Sequence, residues 1–126
     1  MSNWFKLQEF LCHCGDKNCD AVLPQDPLVA KLNVLRDRVG RPITIVSGSR
    51  CAKNNARVGG VKESAHMTGW AADLFCPDSP FRFALVEACV KDPLFSRIGV
   101  GARFLHVDCD PSKAPHVLWV YEGAKP

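Results

Sequence analysis

The sequence predicts an α+β fold: a single domain whose mostly antiparallel sheet is flanked by helices. Two stretches carry apolar residues at helical spacing, short β-branched and aromatic runs lie around them, and the later runs are joined by brief turns containing Gly or Pro. Helices set among strands with tight connections favour an antiparallel sheet over an alternating parallel one. At 126 residues the chain is long enough for one genuine hydrophobic core, and its hydrophobic (47%) and charged (23%) fractions are those of an ordinary globular protein.

The elements follow in order. Residues 1–25 form a Cys-rich N-terminal segment expected to pack on the domain. Asp26 and Pro27 then read as an N-cap and a first helical position. Leu28, Val29, Leu32, Leu35 and Val39 follow at helical spacing, and Gly40 closes the helix. Beyond Pro42, the β-branched run 43–46 predicts a buried strand that delivers Ser47, Gly48, Ser49 and Arg50 to its end. Residues 51–67, rich in Asn, Gly, Lys and Ser, read as a long loop ending near His66, and a long loop in a compact domain is usually functional. A strand is expected at 71–76. A second helix follows over 79–91, capped at Ser79-Pro80, with Phe81, Ala84, Leu85, Ala88 and Cys89 as its inner stripe. Three short strands complete the fold, at 97–100, 104–109 and 117–121.

Two of these strands contain residues that a plain core would not hold. Asp73 interrupts the apolar run Ala71-Ala72-Asp73-Leu74-Phe75-Cys76, where an isolated carboxylate is costly unless paired or bound to a cation. His106 stands where a hydrophobe is expected in Phe104-Leu105-His106-Val107, and His66 precedes Asp73 across a glycine turn. One histidine in an apolar strand is usually a hydrogen-bonded core residue, but two histidines with a carboxylate suit zinc and leave a fourth position open. Side chains alternate along a strand, so Phe104, His106 and Asp108 share one face, as do Ala71, Asp73 and Phe75.

Seven cysteines pose a separate question. Cys12, Cys14 and Cys19 form a dense cluster that either binds a second, structural zinc or enters disulfides, a Cys12 or Cys14 bridge to Cys51 being one pairing. Cys51, Cys76, Cys89 and Cys109 lie in or beside core segments and read as small hydrophobes. A net charge of +3, without a basic run, argues against nucleic-acid binding. No apolar stretch is long enough for a transmembrane segment, and residues 1–6 lack the pattern of a signal peptide. A monomer made in the cytoplasm is expected.

Ser47-Gly48-Ser49-Arg50, Asn55, Gly59-Gly60, Ser64-x-His66-x-x-Gly69-x-Ala71-x-Asp73 and Gly99-x-Gly101 followed by Phe104-x-His106-x-Asp108 together resemble the zinc D-Ala-D-Ala peptidases. More narrowly they are similar to the short phage-type M15 peptidases, which share the fold of the hedgehog signalling domain. The resemblance runs over residues 5–121. It implies a peptidoglycan peptide hydrolase, an endolysin-like endopeptidase or a D,D-carboxypeptidase, that reaches the cell wall after release from the cytoplasm. It also implies a catalytic zinc held by His66, Asp73 and His106, with Arg50 facing the site to stabilise an oxyanion or bind a substrate carboxylate, and Ser64 near the metal to contact substrate. Two departures stand out. Ser49 occupies a position where an aromatic is common, and Arg103 stands where many relatives have an acidic general base before the last histidine. Asp108 is then the first candidate for the base, with an orienting role on His106 or a surface position as its alternatives, and His116 is the second candidate. The departure also leaves open a non-catalytic zinc-binding structural or wall-binding module, such as a virion component.

Overall fold

A computed structural model describes residues 3–121. Among these residues, three α-helices, α1 (Asp26–Val39), α2 (Ala52–Arg57) and α3 (Ser79–Val90), accompany a five-stranded sheet. The strands β1 (Ile45–Ser47), β2 (Ala71–Phe75), β3 (Arg97–Val100), β4 (Phe104–Asp108) and β5 (Val117–Val120) are ordered β1-β2-β4-β3-β5. All neighbours pair antiparallel except β3 and β5, so the sheet is mostly antiparallel as expected. No helix of the described residues is long and apolar enough to cross a membrane.

Alternation divides the sheet into two chemically distinct faces. Ala72, Leu74, Ile98, Leu105 and Val107 are buried in a core shared with Leu28, Leu32 and Leu35 of α1 and Phe81, Leu85 and Cys89 of α3. The opposite face carries polar and aromatic residues in register. Ser47 lies opposite Asp73, Asp73 opposite His106, His106 opposite Gly99, and Gly99 opposite Trp119, so one row crosses all five strands. In β1 the register shifts between Ile45 and Ser47, a bulge that brings Ser47 level with Asp73. A neighbouring row aligns Ala71, Asp108, Arg97 and Val117.

Several boundaries differ from the sequence expectation, each for a local reason. Helix α1 begins at Asp26 with Gln25 as its cap, and Pro27 falls within the first turn. Asp78, not Ser79, caps α3, its carboxylate accepting the Phe81 N–H at 2.8 Å. Strand pairing starts at Ile45, although Ile43 is already buried. The segment 51–67 is not one long loop: it holds α2 and a 3-10 turn at Ala65–Thr68. An unusual cap starts α2, since Cys51 Sγ accepts the Asn54 N–H where Ser or Asp is the familiar choice.

The N-terminal segment enters the core through Phe5 and Phe10, whose rings meet edge to face at 6.1 Å. It crosses close to the strand exit at Gly48, and Ser49 N–H donates to the Phe10 carbonyl at 2.8 Å. A Cβ on Gly48 would lie 2.6 Å from Phe10 Cα, so glycine is what permits the crossing. Gly48→Ala is therefore expected to destabilise the fold by about 1–3 kcal/mol, the usual cost of overpacking against backbone. Denaturant unfolding checks this, and an unchanged midpoint would mean that the two segments separate freely.

Candidate metal centre and cleft

The polar face of the sheet forms the floor of an open cleft of about 460 Å³. His66 arrives from the 3-10 turn, where Ser64 Oγ accepts the His66 N–H at 3.2 Å and Gly69 ends the turn in the left-handed conformation. Asp73 and His106 come from adjacent strands at paired positions. One ligand atom from each of His66, Asp73 and His106 lies within 4.8 Å of the other two, and all three residues are buried.

The hydrogen bonds select the nitrogen that each ring turns inward. His66 Nδ1 is 2.7 Å from the Gly48 carbonyl, which can only accept, so Nδ1 carries a proton and Nε2 is the nitrogen turned to the centre. That Nε2 is 3.2 Å from Asp73 Oδ1. His106 is turned the other way, with Nδ1 3.0 Å from the same oxygen and Nε2 2.6 Å from Asp108 Oδ2. Each imidazole thus has one nitrogen held from outside and one facing the centre, the arrangement that orients metal-binding histidines. Zinc bonds of about 2.1 Å place tetrahedral ligands roughly 3.4 Å apart, close to the observed separations, so this donor set fits zinc.

Electrostatics reinforce the arrangement. Burial acts to raise the pKa of Asp73, but hydrogen bonds from His106 and His66 and their charges outweigh it, holding the carboxyl well below the usual range. Burial acts to lower that of His106, and the facing Asp108 and Asp73 carboxylates turn the shift upward. For Asp108, burial is overcome by His106, the Asp110 N–H and Arg97, and the carboxyl is held below its ordinary value. Burial and the Asp73 charge push the Tyr121 phenol upward, keeping it neutral beside the cleft.

Arg50 is fixed from three sides. Its Nη2 is 3.2 Å from Asp73 Oδ2, Nη1 is 3.2 Å from Asn55 Oδ1, and Nε is 3.2 Å from Ser47 Oγ. Its own N–H donates to the His66 carbonyl at 3.0 Å. The guanidinium carries more N–H donors than these partners consume, and it lines the cleft with Ser64 and Lys113.

Asp108, expected as a proton acceptor, has both oxygens occupied. Oδ2 faces His106, while Oδ1 accepts from Arg97 Nε at 2.7 Å and from the Asp110 N–H at 3.2 Å, and the residue is 1% exposed. His116, the second candidate, does not line the metal cleft. It borders a separate surface hollow beside Val90 and Pro93, its backbone in the left-handed region at φ 62°.

Arg97, Lys113, Trp119 and Tyr121 are among the cleft residues that the sequence did not single out. Trp119 packs over Gly99, where a Cβ would come within 2.6 Å of its ring, and lies 5.3 Å from the His106 ring. The available signals were the bare glycine in β3 and the aromatic pair in the last strand, but neither declares a partner without the strand order. Burial pushes the Cys89 thiol up to about 12 and the Cys109 thiol up to about 11, which disfavours the thiolate at neutral pH.

The Peptidase M15 family model matches residues 3–110, and the chain belongs to that family of zinc-dependent peptidases. None of the curated proteins matches the chain.

The Arg97 contact with Asp108 generates a prediction. Arg97→Ala leaves a buried carboxylate without its guanidinium and should cost up to about 3 kcal/mol near neutral pH. Because the folded-state pKa of Asp108 is depressed, this contribution is fully present above the unfolded value of about 3.9 and is lost as pH falls through the lower folded value. The gap between wild type and variant, followed by denaturant unfolding, should narrow below about pH 4. A gap independent of pH would assign the loss to packing.

Proposed function

We propose that this member of the M15 family is a zinc peptidase that hydrolyses peptide bonds of bacterial cell-wall peptidoglycan, as an endolysin-like endopeptidase or a D,D-carboxypeptidase. The observation that carries the reading is the convergence of His66 Nε2, Asp73 Oδ1 and His106 Nδ1 on the cleft floor, each imidazole anchored at its other nitrogen. These three residues would hold the metal. Zinc bound there supplies a Lewis acid for the scissile carbonyl and a water of lowered pKa.

The chain's own residues supply binding and orientation. The Gly48 carbonyl and the Asp108 carboxylate hold the two rings. Arg50, already braced by Asp73, Asn55 and Ser47, offers its remaining N–H groups to a substrate carboxylate or to the oxygen on which negative charge grows. Ser64 contributes a hydroxyl proton to the same rim, its oxygen being used by the His66 N–H. Trp119 and Tyr121 give an apolar wall, and Lys113 adds positive charge, a combination suited to short peptides ending in carboxylate. Release from the producing cell would bring the protein to the wall.

The engagement of both Asp108 oxygens favours keeping a second reading, a zinc-binding module of the same fold that binds the wall or serves in a virion without catalysis. Turnover of purified peptidoglycan, with mass spectrometry of the new peptide ends, separates the two. Release of peptides supports the enzyme. Binding to the wall without new ends supports the module.

Three substitutions test the residue roles. His66→Ala should lose the cleft zinc, and unchanged metal content there would remove the ligand assignment. Arg50→Ala should lower kcat by roughly a hundredfold with zinc retained, whereas an unaltered rate reduces Arg50 to a brace for Asp73. Asp108→Asn divides its candidate roles. If it orients His106, zinc affinity should fall by roughly 10–100-fold; a zinc-loaded variant with turnover roughly a hundredfold lower would restore it as the base.

A further inference from the structure

Away from the cleft, four thiols meet at one point. Residues 11–25 contain neither helix nor strand, an unusual length of irregular chain in so small a fold, and something must hold them. Cys12, Cys14 and Cys19 lie on this segment, while Cys51 sits at the start of α2. Their Sγ atoms all lie within 4.8 Å of one another.

Two features of the geometry distinguish metal binding from a disulfide. Cys12 Sγ is 3.7 Å from Cys51 Sγ, well beyond the roughly 2.05 Å of a sulfur–sulfur bond. A zinc ion with four sulfur bonds of about 2.3 Å requires sulfur atoms roughly 3.8 Å apart. Backbone N–H groups also point at three of the four sulfurs. Asp16 N donates to Cys14 Sγ, Cys51 N to Cys12 Sγ and Asn54 N to Cys51 Sγ, each at 3.4 Å. Such donors stabilise sulfur that carries negative charge. Lys53 and Arg57 line the same hollow, beside Asp16 and Asp20, and supply counter-charge.

We propose that Cys12, Cys14, Cys19 and Cys51 bind one structural zinc ion as thiolates, clasping the N-terminal segment to the start of α2. Four soft sulfur ligands select zinc over hard cations, and with no ligand position left open the ion is structural. Each thiol gives up its proton on binding. The clasp also fixes the chain on which Arg50 is mounted, since Arg50 precedes Cys51 directly and is tied on its other side to His66. The inference is independent of the peptidase reading.

The test is metal content and spectroscopy of the full chain purified under reducing conditions. Wild type should hold about two zinc ions, His66→Ala about one, and Cys14→Ser with Cys19→Ser about one. Cobalt replacing zinc should show sulfur-to-metal charge-transfer absorption that persists in His66→Ala and disappears in the cysteine variant. If the cysteine variant fails to fold, the comparison of wild type with His66→Ala still decides. Loss of all metal in His66→Ala, or cobalt-loaded His66→Ala without sulfur absorption, overturns the clasp. A Cys12–Cys51 disulfide found by mass spectrometry of the alkylated protein also overturns it. A single zinc with the sulfur signature, unaffected by His66→Ala, would uphold the clasp and count against the cleft site.

Discussion

The Asp73 carboxylate is the constraint around which the polar half of the molecule is arranged. It sits in a strand whose other residues are buried or half-buried, and a charge in that position is tolerated only when its oxygens are matched by donors or a cation. Oδ1 faces both imidazoles and Oδ2 takes the Arg50 guanidinium. Meeting that requirement fixes the register of β2 against β4. A one-residue slip would turn His106 toward the helices and Leu105 toward the cleft.

A second layer makes the first one definite. A carboxylate between two imidazoles is compatible with several tautomers unless the outer nitrogens are also held. The Gly48 carbonyl removes the choice at His66, and Asp108 constrains His106. The same glycine admits the Phe10 backbone from behind, so the chain that buries Phe10 and the carbonyl that orients His66 meet in one residue. Core packing and ring orientation are therefore coupled at Gly48, although its lack of a side chain hides both roles.

Much of this arrangement is legible in the sequence alone. A carboxylate and a histidine in apolar runs mark positions where burial needs a partner, and the alternation of strand residues correctly put Phe104, His106 and Asp108 on one face. The helix at 26–39 followed from period and composition. What escaped were relations that depend on strand order or on uncommon chemistry. Arg97 meets Asp108 only because β3 lies beside β4 in one register, and Trp119 reaches His106 only because β5 adds parallel to β3. Helix α2 was hidden because a thiol, not a hydroxyl or carboxylate, caps it in an Asn-rich stretch. The bond set around Asp108 was likewise invisible, since alternation assigns a face and not a partner.

Asp108 illustrates how one side chain's uses compete. A general base works best with a pKa near the operating pH, whereas a carboxylate that anchors an imidazole works best when it stays ionised. Arg97, the Asp110 N–H and His106 all push Asp108 toward the second use by stabilising its charge. Arg103 occupies the third position before His106, where the resemblance to the zinc D-Ala-D-Ala peptidases implies an acid. For Asp108 to accept a proton, one of its bonds would first have to open. The more accessible of its two side-chain partners is Arg97, whose side chain is 15% exposed against 7% for His106 and lies 5.4 Å from the Trp119 ring, so the aromatic wall and the Asp108 ion pair share one residue.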